Sequence, residues 1–244
     1  MWHSWRLILP ILFVILLSTG NSLASDLKII DSDGTAVEVK SACLDYTIRF
    51  GFYTVDIENS GIRVYRGEGE LTVDWEKIKE IRITWQKRPY EGEISLKDGS
   101  TTTVKFIGSP NIKGRTELGY FEIGLGEVKS IVPIKMKEVP NLTYKPMNAV
   151  VTDANGTVTH VKNISSVIVH QGRGAVEISP VLMEKLTVSQ LDKGQATGEL
   201  VLKNGTTLSR ATFTGSVSGD TDLGDFSLAI SKVRSIVFRE SEEK

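Results

Sequence analysis

Leu228-Ala229-Ile230-Ser231-Lys232-Val233-Arg234-Ser235-Ile236 places apolar residues at successive offsets of two, three and three. An offset of two keeps side chains on one face of a strand, and offsets of three bring them back round one tight helical turn. The stretch therefore predicts strand, single turn, short strand. The same spacing occurs at Val73, Trp75, Ile78 and Ile81, at Ile123, Leu125, Val128 and Ile131, and at Ile178, Pro180, Met183 and Leu186. Four occurrences of one spacing indicate an internal repeat.

Upstream of each quartet stands a turn dipeptide: Asp33-Gly34, Asp98-Gly99, Asn155-Gly156 and Asn204-Gly205. Asp-Gly and Asn-Gly tolerate positive φ, so each predicts a two-residue hairpin turn at the head of its copy. From the turn glycine to the last apolar residue the four copies run 47, 32, 30 and 31 residues, which marks Thr47 to Gly61 as an insert in the first. Between these landmarks Val37 and Val39, Ile94 and Leu96, Val167 and Val169, and Leu200 and Leu202 alternate like half-buried strands. Even copies match through Gly92 to Gly99 against Gly198 to Gly205, and through Thr116 to Phe121 against Thr221 to Phe226. Odd copies match through Arg66-Gly67-Glu68-Gly69 against Gln171-Gly172-Arg173-Gly174.

A duplicated pair predicts an all-β chain of two domains, residues 26–132 holding copies one and two and residues 148–240 holding copies three and four. The proline- and lysine-bearing stretch 133–147 reads as the linker. One copy is too short to bury enough apolar surface alone, so the pairs are expected to share cores as β-sandwiches or small barrels. The run Leu96-Lys97-Asp98-Gly99, then Leu118-Gly119, Ile123 and the closing Val128 to Ile131, resembles the small barrels of the Sm-like and SH3-like kind. The resemblance implies a strand order. Thr101 to Pro110 lacks the aspartate with which Sm proteins meet RNA bases, and only copy one has the aromatics of an SH3-like peptide surface.

Arg6 followed by the apolar run Leu7 to Leu17 and by Ser22-Leu23-Ala24 reads as a signal peptide, residues 1–24, cleaved after Ala24. The run is about half of what a membrane-spanning helix needs, and no later stretch could span. The expected product is exported, periplasmic or extracellular, with no membrane span after processing. Removing the leader leaves 28 basic against 30 acidic residues, spread evenly over both halves, which argues against nucleic acid as a partner. Cys43 is the only cysteine, so no disulfide forms within the chain, and it is expected to be a small buried hydrophobe.

No catalytic or cofactor motif stands out, and the expectation is a non-enzyme without cofactor. Gly215-Ser216-Val217-Ser218-Gly219 has the wrong register for a nucleophile elbow, and only His160 and His170 survive processing. Those histidines with Asp153 could hold zinc, but their spacing is no motif, and no metal is expected. Asp31-Ser32-Asp33-Gly34 lacks the distal ligands of a calcium loop and reads as turn chemistry.

Aromatic and basic residues gather in copy one. Phe50, Phe52 and Tyr65 are expected to fill its enlarged core. Trp85, Lys87, Arg88 and Tyr90, in a proline-containing joint, are expected to form an exposed binding surface with Tyr53 and Arg66. The function expected is a binding or scaffold module for an envelope or extracellular protein or glycan. Two other classes stay open: a glycan-active hydrolase or accessory enzyme with paired carboxylates, and an assembly subunit that pairs through edge strands.

Overall fold

The structure, a computed structural model, describes residues 25–50, 53–59, 61–135, 145–192 and 195–240. The proposed leader, Phe52 and most of the 133–147 linker lie outside them. The described chain is almost entirely antiparallel β. Its elements come in a recurring order of hairpin, second hairpin, 3₁₀ turn and closing strand.

The first set is β1 (Ser25–Asp31), β2 (Ala36–Phe50), β3 (Tyr53–Asn59), β4 (Gly61–Arg66), β5 (Gly69–Asp74), η1 (Trp75–Lys77) and β6 (Ile78–Trp85). The second is β7 (Glu91–Leu96), β8 (Thr101–Phe106), β9 (Asn111–Arg115), β10 (Gly119–Gly124), η2 (Leu125–Glu127) and β11 (Val128–Ile134). The third is β12 (Met147–Asp153), β13 (Val158–Val161), β14 (Val167–Gln171), β15 (Gly174–Ile178), η3 (Pro180–Leu182) and β16 (Met183–Asp192). The fourth is β17 (Gln195–Leu202), β18 (Thr207–Thr214), β19 (Ser216–Thr221), β20 (Gly224–Ala229), η4 (Ile230–Lys232) and β21 (Val233–Glu240). Among the described residues only the first set has an extra strand: β3 pairs with the far half of β2, from Leu44↔Asn59 to Phe50↔Tyr53, and uses up the insert.

Each quartet adopts strand, 3₁₀ turn, strand. The first turn residue is buried in all four sets, as Trp75, Leu125, Pro180 and Ile230. The last members, Ile81, Ile131, Leu186 and Ile236, are fully buried. The turn dipeptides differ from expectation. Gly34, Gly99, Gly156 and Gly205 have φ between +85° and +91°, but the preceding Asp or Asn does not enter the left-handed region. Gly99 N–H donates to Leu96 O at 3.1 Å and Leu96 N–H to Ser100 O at 2.8 Å, and the other three turns repeat this pattern. These are three-residue loops, a type I turn followed by a left-handed glycine, and not two-residue loops.

No closing strand pairs with the first strand of its own set. β11 pairs with β1 and β6 pairs with β7, while β6 and β11 pair with each other at Ile81↔Ile131. The second hairpins cross over as well: β4 pairs with β8, and β9 with β2. The first half therefore reads β5-β4-β8-β7-β6-β11-β1-β2-β9-β10, the same from either end. The second half repeats the order as β15-β14-β18-β17-β16-β21-β12-β13, with the β19-β20 hairpin attached through Lys162↔Asp220. Leu186↔Ile236 stands at its centre.

The two halves join edge to edge through β10 and β15, so one large sheet runs through both. That sheet does not close on itself, and the expected small barrels are replaced by open sheets whose inner faces share one apolar core. Pro133 and Ile134 still belong to β11, and the buried Met147 already belongs to β12, so the strands reach into the expected linker from both sides.

The insert's neighbourhood holds a polar anchor. Tyr46 is 4% exposed, its Oη accepts the Arg63 N–H at 3.0 Å, and the Arg63 guanidinium lies 5.6 Å from its ring centre. Burial pushes the Tyr46 hydroxyl up from 10.0 to about 12, against the smaller opposing effect of Arg63. Tyr65, expected in the same core, is exposed.

Two expectations follow. Ile131→Ala should cost about 2 to 5 kcal/mol, because it opens a cavity at the centre of the first half, whereas Lys129→Ala at an exposed position of the same strand should stay within about 0.5 kcal/mol. Urea unfolding midpoints measure both. A phenol whose folded pKa is raised stabilises below its unfolded value and loses that contribution as pH climbs. Tyr46→Phe should thus be about 1 kcal/mol less stable than wild type below pH 10, from the orphaned Arg63 N–H. The gap should close and reverse by pH 12, as wild type alone loses about 2 to 3 kcal/mol.

Candidate binding surfaces

Of the six residues expected to form one surface, three are exposed, one is buried and two have side chains outside the described set. Lys87 and Arg88 are exposed in the loop between β6 and β7, and Arg66 is exposed at the end of β4. Tyr53 and Trp85 begin β3 and end β6, but their side chains lie outside the described set. Tyr90 corrects the expectation of exposure: it is 8% exposed, its Oη bonds Ser109 Oγ at 3.1 Å, and its ring lies against Gly126. A phenol with a polar partner inside the fold can be buried at little cost, which the flanking polar residues conceal.

The histidines do not converge. His160 is on β13, paired with β12, and His170 is on β14, where Nε2 meets Thr214 Oγ1 at 3.1 Å. Among the described residues no group of three or more His, Cys, Asp or Glu side chains could hold a metal ion. Cys43 is half-buried on β2, not fully buried as expected. Asp45 and Glu122 both lie near one cation, with Lys113 Nζ 2.5 Å from the first and 4.0 Å from the second. The bond from Asp45 chiefly holds the Lys113 ammonium above its ordinary pKa. A cation thus stands in the gap between these two acids.

The most elaborate polar arrangement is at the joint of the halves, where β10 and β15 pair from Gly119↔Ile178 to Glu122↔Ala175. Beside it the Gln171-Gly172-Arg173-Gly174 turn lies on the Asp31 to Thr35 turn. Asp31, 3% exposed, accepts the N–H groups of Asp33 (3.0 Å) and Thr35 (2.8 Å) on Oδ1 and of Arg173 (2.7 Å) on Oδ2. A buried carboxylate with three backbone donors is well compensated. The Arg173 guanidinium binds Asp33 through two bonds, Nε to Oδ2 at 2.7 Å and Nη2 to Oδ1 at 3.2 Å, and lies 3.9 Å from Glu127. Asp33 above all keeps its pKa above the ordinary arginine range.

Glycines make the close approach possible. A Cβ on Gly172 would fall 2.0 Å from Asp31 Oδ2, one on Gly119 2.0 Å from Glu177 O, and one on Gly174 2.3 Å from the Phe121 ring. Phe121 and Val176 are consequently buried to 0% and 1% exposure where the strands meet. Nothing local in the sequence links the Asp31 turn to the Gly-Arg-Gly turn. The opposite charge of Asp33 and Arg173, in turns of two odd copies, was the signal that could have joined them.

β5 at one end of the large sheet, and β20 in the two-stranded β19-β20 sheet bridged to it at Lys162↔Asp220, each have one paired edge and one unpaired edge among the described residues. Leu71 on β5 is 43% exposed and Leu223, before β20, is fully exposed.

Asp31→Ala should cost about 2 to 3 kcal/mol, by leaving backbone donors without an acceptor. In Asp31→Ala and Gly172→Ala alike, amide exchange should accelerate along β10 and β15 while the β6–β11 amides keep their protection. Uniform acceleration throughout would mean that the joint is no weaker than the rest.

Compared with models of protein families, with curated proteins and with solved structures, the chain matches none.

Proposed function

We propose that the chain is an exported, non-catalytic scaffold protein of the envelope or the exterior, and that it engages protein partners by adding strands at the ends of its sheet. In this reading its four sets of strands descend from one copied unit, and the units lock in twos to give two domains. The recurrent order of elements and the mirror-symmetric pairing within each half support it. The observation that carries it is the β10–β15 joint, in which two lobes of this chain are themselves held by strand addition and a turn-on-turn polar contact. Main-chain pairing supplies affinity in such contacts and neighbouring side chains supply selectivity. The exposed Arg66, alone among the residues expected to bind, belongs to the turn beside one free edge.

A photo-activated cross-linker placed at Leu71 or Phe226 in host cells tests this reading. Adducts of discrete mass should form at those positions, in the exported fraction. Adducts confined to Lys87 and Arg88 would return the function to the loop between β6 and β7, and label retained in the cytosol would overturn export.

A further inference from the structure

We infer that the partner at both ends is a second copy of this chain, so that β20 of one molecule joins β5 of the next as β10 joins β15 within the molecule. The inference rests on the edge-binding reading above and names its partner.

The two halves share one strand order, so each residue of the internal joint has a counterpart at a free end. Set two corresponds to set four, and set three to set one. β10 thus corresponds to β20 and β15 to β5, and the internal register predicts Gly224↔Val73, Asp225↔Thr72, Phe226↔Leu71 and Ser227↔Glu70 between copies. Phe121 and Val176 are buried at the joint, while their counterparts are Phe226, half-buried, and Leu71, 43% exposed. The ends display apolar residues where the middle hides them.

Space is reserved at the ends in the same places. Gly174, against the Phe121 ring, corresponds to Gly69, whose Cβ would meet only Arg66 O at 3.6 Å. Gly119, pressed on Glu177 O, corresponds to Gly224, and Gly172, pressed on Asp31, corresponds to Gly67; a Cβ at either would have nothing within 4 Å. Among the described residues no neighbouring atom in the molecule requires glycine at these three sites; Gly67 (φ +64°) and Gly224 (φ +125°) have backbones that favour it, but Gly69 has no steric need of it within one molecule. A neighbour seated as β15 sits on β10 would supply that need.

The turn contact carries over with its charges exchanged. Asp153 Oδ1 accepts the N–H groups of Asn155 (2.9 Å) and Thr157 (2.8 Å), as Asp31 Oδ1 does for Asp33 and Thr35. Ala154 N–H reaches Lys232 O at 2.9 Å, as Ser32 N–H reaches Glu127 O at 2.9 Å, so Lys232 occupies the place of Glu127. Inside the chain the positive Arg173 lies between the acids Asp33 and Glu127. Between copies the negative Glu68, in the place of Arg173, would face the neutral Asn155 and the positive Lys232, while its N–H would reach Asp153 Oδ2. Both versions are complementary, and Glu68 would be repelled at the internal site. The contact is heterologous, so successive copies continue into a filament or close into a ring.

Sedimentation of the purified protein across rising concentration tests this, with three variants beside wild type. Wild type should form species of increasing size. Gly69→Val fills the hollow meant for Phe226 without an unfavourable φ, and should remain monomeric with an unchanged circular dichroism spectrum. Lys232→Glu places like charges together and should weaken association about fivefold, and adding Glu68→Lys in the same chain should restore it. A wild type that stays monomeric at millimolar concentration overturns the inference, as does assembly that Gly69→Val leaves intact. If monomeric wild type still gives discrete adducts to another protein from position 71 in cells, edge binding stands and only self-assembly falls.

Discussion

Everything in this fold depends on where the chain goes after each 3₁₀ turn. A buried residue opens the turn, Trp75, Leu125, Pro180 or Ile230, and the strand that follows carries an apolar residue to the centre of its half. There it meets the equivalent strand of the neighbouring set, Ile81 against Ile131 and Leu186 against Ile236. The first strand of each set is then covered by the last strand of the other. No set completes its own sheet, and paired sets bury a core that neither could bury alone.

The same logic is repeated at a larger scale with different chemistry. Within a half, sets are held by exchanged strands and a common apolar interior, which is non-directional and strong in proportion to area. Between halves, one short strand pairing is fixed by a buried carboxylate and a forked arginine, which are directional. The first device gives stability and the second gives register. Glycines are placed where the second device needs backbones close together, as at Gly119 and Gly172.

The all-β class and the strand-turn-strand form of the quartets were legible in the residues, because alternation and the two-three-three spacing report which face of the backbone is apolar. Which strand lies beside which was not legible. Periodicity places Ile81 in a core, and Ile81 is buried whether β6 pairs with β1 or with β7. The loop length escaped for a related reason, since Asp98-Gly99 fits both a two-residue turn and a type I turn with a trailing left-handed glycine; only the Leu96 and Ser100 hydrogen bonds decide. Tyr90 was misplaced because its polar neighbours in sequence are not its neighbours in space, where Ser109 accepts or donates the bond that lets it be buried. The Asp31 and Arg173 contact joins residues 142 apart in the chain, beyond the reach of any local pattern.

Exchange of closing strands also limits which lengths of chain this fold can tolerate. Loss of a single set would strip its neighbour of both the strand that covers its first hairpin and the one that faces its last, leaving a naked edge on each side. Insertion of one set would create the same orphan. The arrangement tolerates change by whole pairs of sets, and an odd-numbered chain would have to find its missing half in another molecule.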